Sequence, residues 1–495
     1  MSEEDGSIRA RVVRGAAAAF GGNFLFTAAN ALLILLLTRE LLDPTRFGRL
    51  YFAISVLGMV SIFADLGLRK SAAHYISEYD GRDPGQVRYV IRYSVTALVV
   101  LVAVSSTLVA VFSGPLARLL GEPAVAPLLA LGSLYVAGHA LQGYLSTVFQ
   151  AFNRVEWSAT INGITGVARL VLAVGFILLG LDVLGAMLGY VGGFAVAVLV
   201  GGVVLYRRHY VPLEQPDSPE PGLGRRILRY SVPLTVTEST NAVDKRVDIV
   251  LIGTLLTPAA ASYYVLAKQI SSFSIMPATS IGYSVTPAYG GKTARENPEK
   301  AARLYEEAFR YVLMVYLPAA AGLILVAGPT VELVFGPEYS PAVPVVQVIS
   351  GYVLVRAINK VTSDGLDYLG LARERAVLKT VTTFANVVLN LLLIPIYGVV
   401  GAAVATTATF ATYTAGNVYQ LHKELPVDNT ALLRDGAVVA VVTAAMTVVV
   451  MLAVPYVSGP VTLAGVVLLG GGVTGTLSVV TGLVDVGRVR TMLGA

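Results

Sequence analysis

The stretch LLDPTRFGRLYFA, Leu41–Ala53, returns 214 residues later as LLTPAAASYYVLA, Leu255–Ala267. A second pair, GLDVLGAMLG (Gly180–Gly189) and IYGVVGAAVA (Ile396–Ala405), repeats at an offset of 216. Two matches at nearly one spacing point to a chain built by internal duplication. The sequence between them says what was duplicated. Of 495 residues, 55% are hydrophobic, 14% are charged and 49 are glycine, a composition outside the soluble range. Apolar runs of about 20 residues recur, each enough to cross roughly 30 Å of hydrocarbon as a helix.

The expected fold class is therefore an all-α polytopic membrane protein with about 14 transmembrane helices. They are read near 16–38, 50–68, 90–113, 125–150, 157–179, 184–206, 228–256, 262–286, 308–328, 342–363, 376–396, 398–420, 431–455 and 461–483. Six spans return the chain to the side where it began, which makes the two halves parallel repeats about an axis along the membrane normal. A polar interruption, RRHYVPLEQPDSPEPGLGRR (Arg207–Arg226), separates them with four prolines and basic ends. The expected organisation is a six-helix bundle over 1–206, a cytoplasmic linker over 207–227, and a second six-helix bundle over 228–420. Two additional helices and a cytoplasmic tail fill 421–495. Packed halves place a substrate cavity at their interface.

The basic excess is a topology signal, not a nucleic-acid footprint. By these bounds, cytoplasmic segments hold 21 of the 36 Lys and Arg, external segments hold 4, and 11 lie within spans. Both termini are expected in the cytoplasm of a multi-pass cell (plasma) membrane protein. The first span, AAAAFGGNFLFTAANALLILLLT, is too long for a signal-peptide core and reads as an anchor. The absence of cysteine excludes disulfides, thiolate nucleophiles and Cys-based metal sites.

Within this apolar chain, STNAVDKRVDIVLIG (Ser239–Gly253) carries four charges near the middle of span seven. Each isolated charge there costs roughly 2.5 to 3.5 kcal/mol on insertion scales, so these side chains are expected to avoid lipid. At about 100° per residue, Glu238, Asn241, Asp244, Lys245 and Asp248 share one helix face. Arg246 points elsewhere and needs a partner on another helix or a water-filled space. Span five carries Asn162 and Arg169, span eight Lys268 and Gln269, span ten Arg356, Asn359, Lys360 and Ser363, and span one Asn23, Thr27 and Asn30. Such a set lines a hydrated, largely cationic chamber suited to a phosphate or pyrophosphate group.

Arg169, Lys245, Lys268, Arg356 and Lys360, with Asn23 and Asn30, are accordingly the candidate substrate-binding residues. Glu238, Asp244 and Asp248 are candidates for ion pairing or for coupling to a proton or sodium ion. Plainer readings compete: Arg356 and Lys360 can snorkel to headgroups, and Asn23 and Asn30 can bond neighbouring helices. Asp65 reads as a boundary or capping residue, His139 as a core histidine, and Trp157 as an interfacial anchor. No metal-ligand spacing, phosphate-cradling glycine loop or nucleophile–base arrangement is present. An enzyme, a catalytic site and a cofactor are therefore not expected.

Three stretches carry a resemblance: LTRELLDPTRFGRLYFAISVLGMVSIFADLGL (Leu37–Leu68), VDIVLIGTLLTPAAASYYVLAKQI (Val247–Ile270) and NVVLNLLLIPIYGVVGAAVATT (Asn386–Thr407). With the span pattern, they make the chain resemble the polysaccharide or oligosaccharide flippases of the multidrug/oligosaccharidyl-lipid/polysaccharide exporter superfamily, relatives of O-antigen flippases. The resemblance implies a V-shaped, alternating-access transporter that moves lipid-linked glycan from the cytoplasmic to the external leaflet. Its partners would be that glycan, membrane lipids and glycan assembly enzymes. Asp248 occupies the family-like acidic position before the VLIG run, although the DKRVD arrangement is more charged than the common pattern. A cation-coupled multidrug exporter shares the architecture, and a membrane polysaccharide polymerase is the more distant alternative.

Overall fold

A computed structural model of the chain describes residues 21–214, 219–275 and 297–483. The start of the first expected span (16–20), the end of the eighth (276–286) and the tail from 484 lie outside these. Among the described residues every regular element is a helix. In chain order the elements are α1 (Gly21–Leu41), α2 (Pro44–Asp65), α3 (Leu68–Tyr79), α4 (Pro84–Leu119), α5 (Ala126–Ala151), α6 (Val155–Phe176) and α7 (Asp182–Val204). There follow α8 (Leu223–Leu255), α9 (Pro258–Ser274), α10 (Pro298–Thr330), α11 (Val343–Tyr368), α12 (Ala372–Glu424), α13 (Asn429–Ala453) and α14 (Pro460–Val480).

Among the described residues, ten helical stretches are long and apolar enough to cross a membrane. Two of these, Val155–Tyr210 and Ala372–Glu424, run to 56 and 53 residues, more than twice the length one crossing needs. Each is broken near its middle. Asp182 has φ 50° and ψ −135°, and Gly398 has φ 60° and ψ −141°, so the same non-helical turn stands at positions 216 residues apart. Beyond each break a glycine lets the returning helix close on the backbone it has just left. A Cβ on Gly185 would lie 2.8 Å from the carbonyl carbon of Phe176, and one on Gly401 would lie 2.3 Å from the Leu393 carbonyl oxygen.

The other offset recurs at the helix starts. Pro44 and Pro258, Pro84 and Pro298, and Pro123 and Pro337 each open a helical segment 214 residues apart. Proline suits a first turn because its missing N–H has no intrahelical partner there and its φ is already helical. The preceding cap repeats as well. Asp43 accepts from the Thr45 and Arg46 amides, Thr257 from Ala260, Asp83 from Gln86, and Asn297 from Lys300. The duplication read from two sequence echoes thus extends to helix caps and kinks.

By packing, the chain forms two units, residues 1–261 and 262–495. α8, the counterpart of α1 in the repeat, belongs to the first unit, where it lies along α2 and α3. A Cβ on Gly253 would sit 2.4 Å from the Phe52 ring, and Ser71 on α3 donates to the Ile227 carbonyl at 2.7 Å. The turn joining α2 to α3 passes so close to α8 that a Cβ on Gly67 would be 2.6 Å from the Ser231 carbonyl oxygen. Gly67 also has φ 70°, a conformation glycine adopts without strain.

The first unit buries Phe47, Phe52, Tyr144 and Phe149, and Tyr144 satisfies its hydroxyl on Ser94 at 2.7 Å. Its outside is equally apolar. Val100, Val104, Leu108 and Val111 form an exposed stripe at helical spacing along α4, the pattern of a lipid-facing helix. In the second unit, Tyr305, Val353, Ala357 and Leu421 share one core, while Val326, Met446, Val450 and Val466 join α13 and α14 to α10.

Candidate functional site: charged networks inside apolar helices

The middle of α8 lies against α2 and α3, and there the first unit gathers its charges. Leu66 and Gly67, both left-handed, end α2 and start α3 within two residues. Asp65, 6% exposed, accepts from the Arg69 amide at 3.1 Å and pairs with its guanidinium at 3.2 Å. Arg69 then reaches Glu238 of α8 at 2.7 Å, and Lys70 reaches the other carboxylate oxygen at 2.5 Å. The result is a chain of four charges, Asp65–Arg69–Glu238–Lys70, that ties the α2–α3 joint to α8. Gly143 of α5 clears space for it, because a Cβ there would lie 2.8 Å from the Arg69 Nη1.

Arg246 finds its partner on another helix, donating to the Ile54 carbonyl of α2 at 2.9 Å. Its guanidinium crosses Gly58, where a Cβ would lie 2.1 Å from Cζ. On the same helix Asp248 is fully buried, Asp244 half-buried and Lys245 exposed, and all three make polar or electrostatic contacts. The α8 charges thus do not share one environment.

Arg169 of α6 is 7% exposed, and among the described residues no carboxylate pairs with it. It lies instead among rings, 4.5 Å from the Tyr190 centroid and 5.5 Å from those of Phe26 and Phe194. Ring faces attract a cation by about 0.5 to 2 kcal/mol each, which offsets only part of the cost of desolvating a guanidinium. Its Nε has no hydrogen-bond partner. His139 packs on Tyr135 and Phe194, as a core histidine does. The charges of Arg246, Arg69, Arg169 and Lys245 all act on it, so four cations from three helices, α3, α6 and α8, converge on one region of this unit.

Asn23 accepts from Asn162 at 3.4 Å, and Asn162 in turn accepts from Gln142 at 2.7 Å, a polar thread from α1 through α6 to α5. Asn30 is half-buried.

The second unit holds the remaining candidates. Lys268 lies 5.1 Å from the Tyr264 ring centroid. Lys360 grips both oxygens of Asp364 at 2.7 Å, one helical turn away. Arg356, one turn before it, is half-buried, and Asn359 accepts from Asn417 at 2.8 Å. Arg375 pairs with Asp367, and Lys379 stands 5.2 Å from both the Phe410 and Tyr413 rings.

Arg69, Lys70, Arg375 and Lys379 were missing from the sequence candidates. Arg69 and Lys70 follow span two in the cytoplasmic register, where basic residues usually report only topology. The readable signal was Asp65, four residues before Arg69, at the spacing of a helical ion pair.

The arrangement offers paired, water-compatible charge inside otherwise apolar helices and holds Arg169 without a carboxylate. It can exchange an internal partner for a phosphate or a sugar hydroxyl without covalent chemistry. The comparisons with known proteins agree with that character. The probable low-salt glycan biosynthesis flippase Agl15 of Haloferax volcanii is 24% identical over 410 residues, covering 81% of this chain and 82% of the relative. The probable flippase AglR of the same organism is 23% identical over 80% of each chain. Among solved structures, the lipid II flippase MurJ in an inward closed conformation matches with a TM-score of 0.77 at 14% identity, over 95% of this chain and 98% of that one. An inward-facing multidrug resistance MATE family transporter of the MOP superfamily matches with a TM-score of 0.66 at 18% identity, over 83% and 95%. Both structures share the polytopic transporter fold. The model of the polysaccharide biosynthesis protein family matches residues 12–289, more than half the chain, and the chain belongs to that family.

Proposed function

We propose that this protein is a flippase that carries a lipid-linked oligosaccharide or polysaccharide precursor from the cytoplasmic to the external leaflet by alternating access. The observation that carries the proposal is the charged network of α2, α3, α6 and α8, set within helices whose outer faces are apolar. A glycan and its phosphate cannot cross hydrocarbon cheaply, whereas an isoprenoid-like tail remains in it. Arg169, Lys245 and Lys268, with Arg356 and Lys360, are assigned to the anionic headgroup, and Asn23 and Asn30 to its polar surroundings. Glu238 is assigned to pairing, since Arg69 and Lys70 already hold it. Asp244 and Asp248 are assigned to coupling by a proton or sodium ion. The relatives named as flippases support this reading, and α8 and α9 complete a proposed set of fourteen crossings with both termini cytoplasmic in the plasma membrane. No covalent step is needed, and glycan assembly enzymes would supply the substrate.

The test is mass spectrometry of lipid-linked and surface glycans in cells depleted of the protein and then restored. Accumulated precursor with lost surface product, reversed by restoration, is the expected result and identifies the glycan. Unchanged pools together with gained dye efflux would assign the protein to drug export instead. Restoration with Arg356→Gln/Lys360→Gln should yield inserted protein and reduced surface glycan. Full restoration by that variant would remove both residues from the headgroup site.

A further inference from the structure

We infer that a groove on the outer face of the first unit binds an anionic phospholipid. The groove runs between α4, α5 and the end of α7 and has a volume of about 360 Å³. Its walls are aliphatic, with Val95 and Leu98 on α4, Leu141 and Leu145 on α5, and Val198 on α7. Gly202 keeps it open, because nothing stands within 4 Å of where its Cβ would be. Val99, Val100, Leu199 and Val203 border it, all strongly exposed on the apolar surface. From Arg92 to Leu98 the groove follows α4 for about 9 Å, at 1.5 Å per residue.

Polar character collects at one end only. Arg92 stands at the mouth, exposed and without an ion pair or side-chain hydrogen bond among the described residues. One turn earlier on the same face, Arg88 lies 4.9 Å from the Tyr210 centroid and donates to the Leu213 carbonyl at 2.7 Å. Tyr206 and Tyr210 stack at 5.8 Å and 22° beside it, and Arg207 and Arg208 follow Tyr206 in the chain. Stacked tyrosines and arginines mark the headgroup level of a bilayer. α4 starts and α7 ends at this level, on the side assigned above to the cytoplasm.

A cationic, aromatic mouth above an aliphatic slot complements one kind of molecule, an acyl chain carrying an anionic phosphate. The polar side chains in the slot are Thr96 and Tyr144, and their hydroxyls are already bonded, to the Arg92 carbonyl and to Ser94, which leaves little to hold a sugar. A resident phospholipid of the inner leaflet is therefore the occupant, and its binding does not depend on the transport reaction.

The experiment is to reconstitute the full chain in nanodiscs of equal parts phosphatidylglycerol and phosphatidylcholine. The lipids retained after brief detergent exchange are then counted by native mass spectrometry. The wild type should retain phosphatidylglycerol over phosphatidylcholine by about fivefold, the effect of one arginine at an anionic headgroup. Arg92→Gln should bring the ratio towards one while lipid is still held, and Gly202→Leu, which fills the slot, should lose the lipid. Equal retention by the wild type, or an unchanged ratio in Arg92→Gln, would overturn the proposal. So would displacement of phosphatidylglycerol by an equal concentration of an isoprenoid phosphate, which would make the groove a substrate-tail site. Arg92 is exposed and its variant is expected to fold, so the ratio decides even if Gly202→Leu does not fold.

Discussion

Replacing Glu238 with Gln preserves its shape and removes the charge that Arg69 and Lys70 share. Removing one partner of a buried ion pair costs about 3 to 5 kcal/mol. Here the carboxylate is 19% exposed and Arg69 is 24% exposed, which lowers that cost. Arg69 keeps Asp65 at 3.2 Å, which lowers it further. We expect Glu238→Gln to lose about 2 kcal/mol, with about 1 to 2 kcal/mol appearing as coupling in an Arg69→Gln/Glu238→Gln double-mutant cycle. The Lys70 cycle should give less, about 0.2 to 1 kcal/mol, because Lys70 is 46% exposed and its charge stays partly hydrated. Equilibrium unfolding in mixed micelles with SDS measures the wild type and the five variants on one scale. A coupling below about 0.5 kcal/mol for Arg69 and Glu238, or a larger coupling for Lys70, would refute the network as described.

At the helix breaks, Asp182→Gly should stabilise and Gly398→Ala destabilise, each by about 1 to 2 kcal/mol, since both positions require positive φ; thermal unfolding of the reconstituted protein reads the two signs. Gly58→Leu should displace the Arg246 guanidinium and cost about 1.5 to 3 kcal/mol, the worth of a hydrogen bond to a charged group, while Gly114→Ala, at a helical glycine with open space around it, should not destabilise. Arg169→Gln should lower glycan flipping in cells far more than Arg169→Lys if the charge itself is needed, and equal losses would point to packing among the rings. Near the linker, the Tyr79 hydroxyl and Arg226 hold the Glu220 carboxyl below its usual range. A depressed carboxylate pKa gives docking that is complete above the ordinary glutamate range and is lost as pH falls through the lowered value. Protection of the Glu220–Arg226 amides from hydrogen exchange should accordingly persist as pH falls through the ordinary glutamate range and be lost below it, whereas Glu220→Gln should lack that protection throughout.

The repeat was legible because proline and glycine act locally. Pro44 and Pro258 mark helix starts whatever surrounds them, and the Gly180 and Gly398 segments mark breaks. The same local logic put Arg246 off the helix face that carries Glu238, Asp244 and Asp248. It could not assign Arg69 and Lys70 to Glu238, because that pairing depends on a turn at Leu66–Gly67 that carries α3 back against α8. Nor could it show that Arg169 would be surrounded by Phe26 of α1 and by Tyr190 and Phe194 of α7. Packing also places α8 with the first unit although the linker precedes it in sequence, a consequence of glycine-mediated approach at Gly253 and Gly67. Periodicity identifies a buried face and leaves its neighbour open.

The Arg69–Glu238 bond spans 169 residues, and that separation sets an order of events in synthesis. At 5 to 20 residues per second, the ribosome delivers Glu238 on the order of ten to thirty seconds after Arg69. During that interval Arg69 and Lys70 have no Glu238 to hold them, and as basic residues beside a newly inserted span they act only as topology signals. When α8 arrives, the same two side chains turn from topogenic signals into clasps. A premature stop between α7 and Glu238 leaves the nascent first unit without its latch, which is the state a membrane quality-control protease would meet.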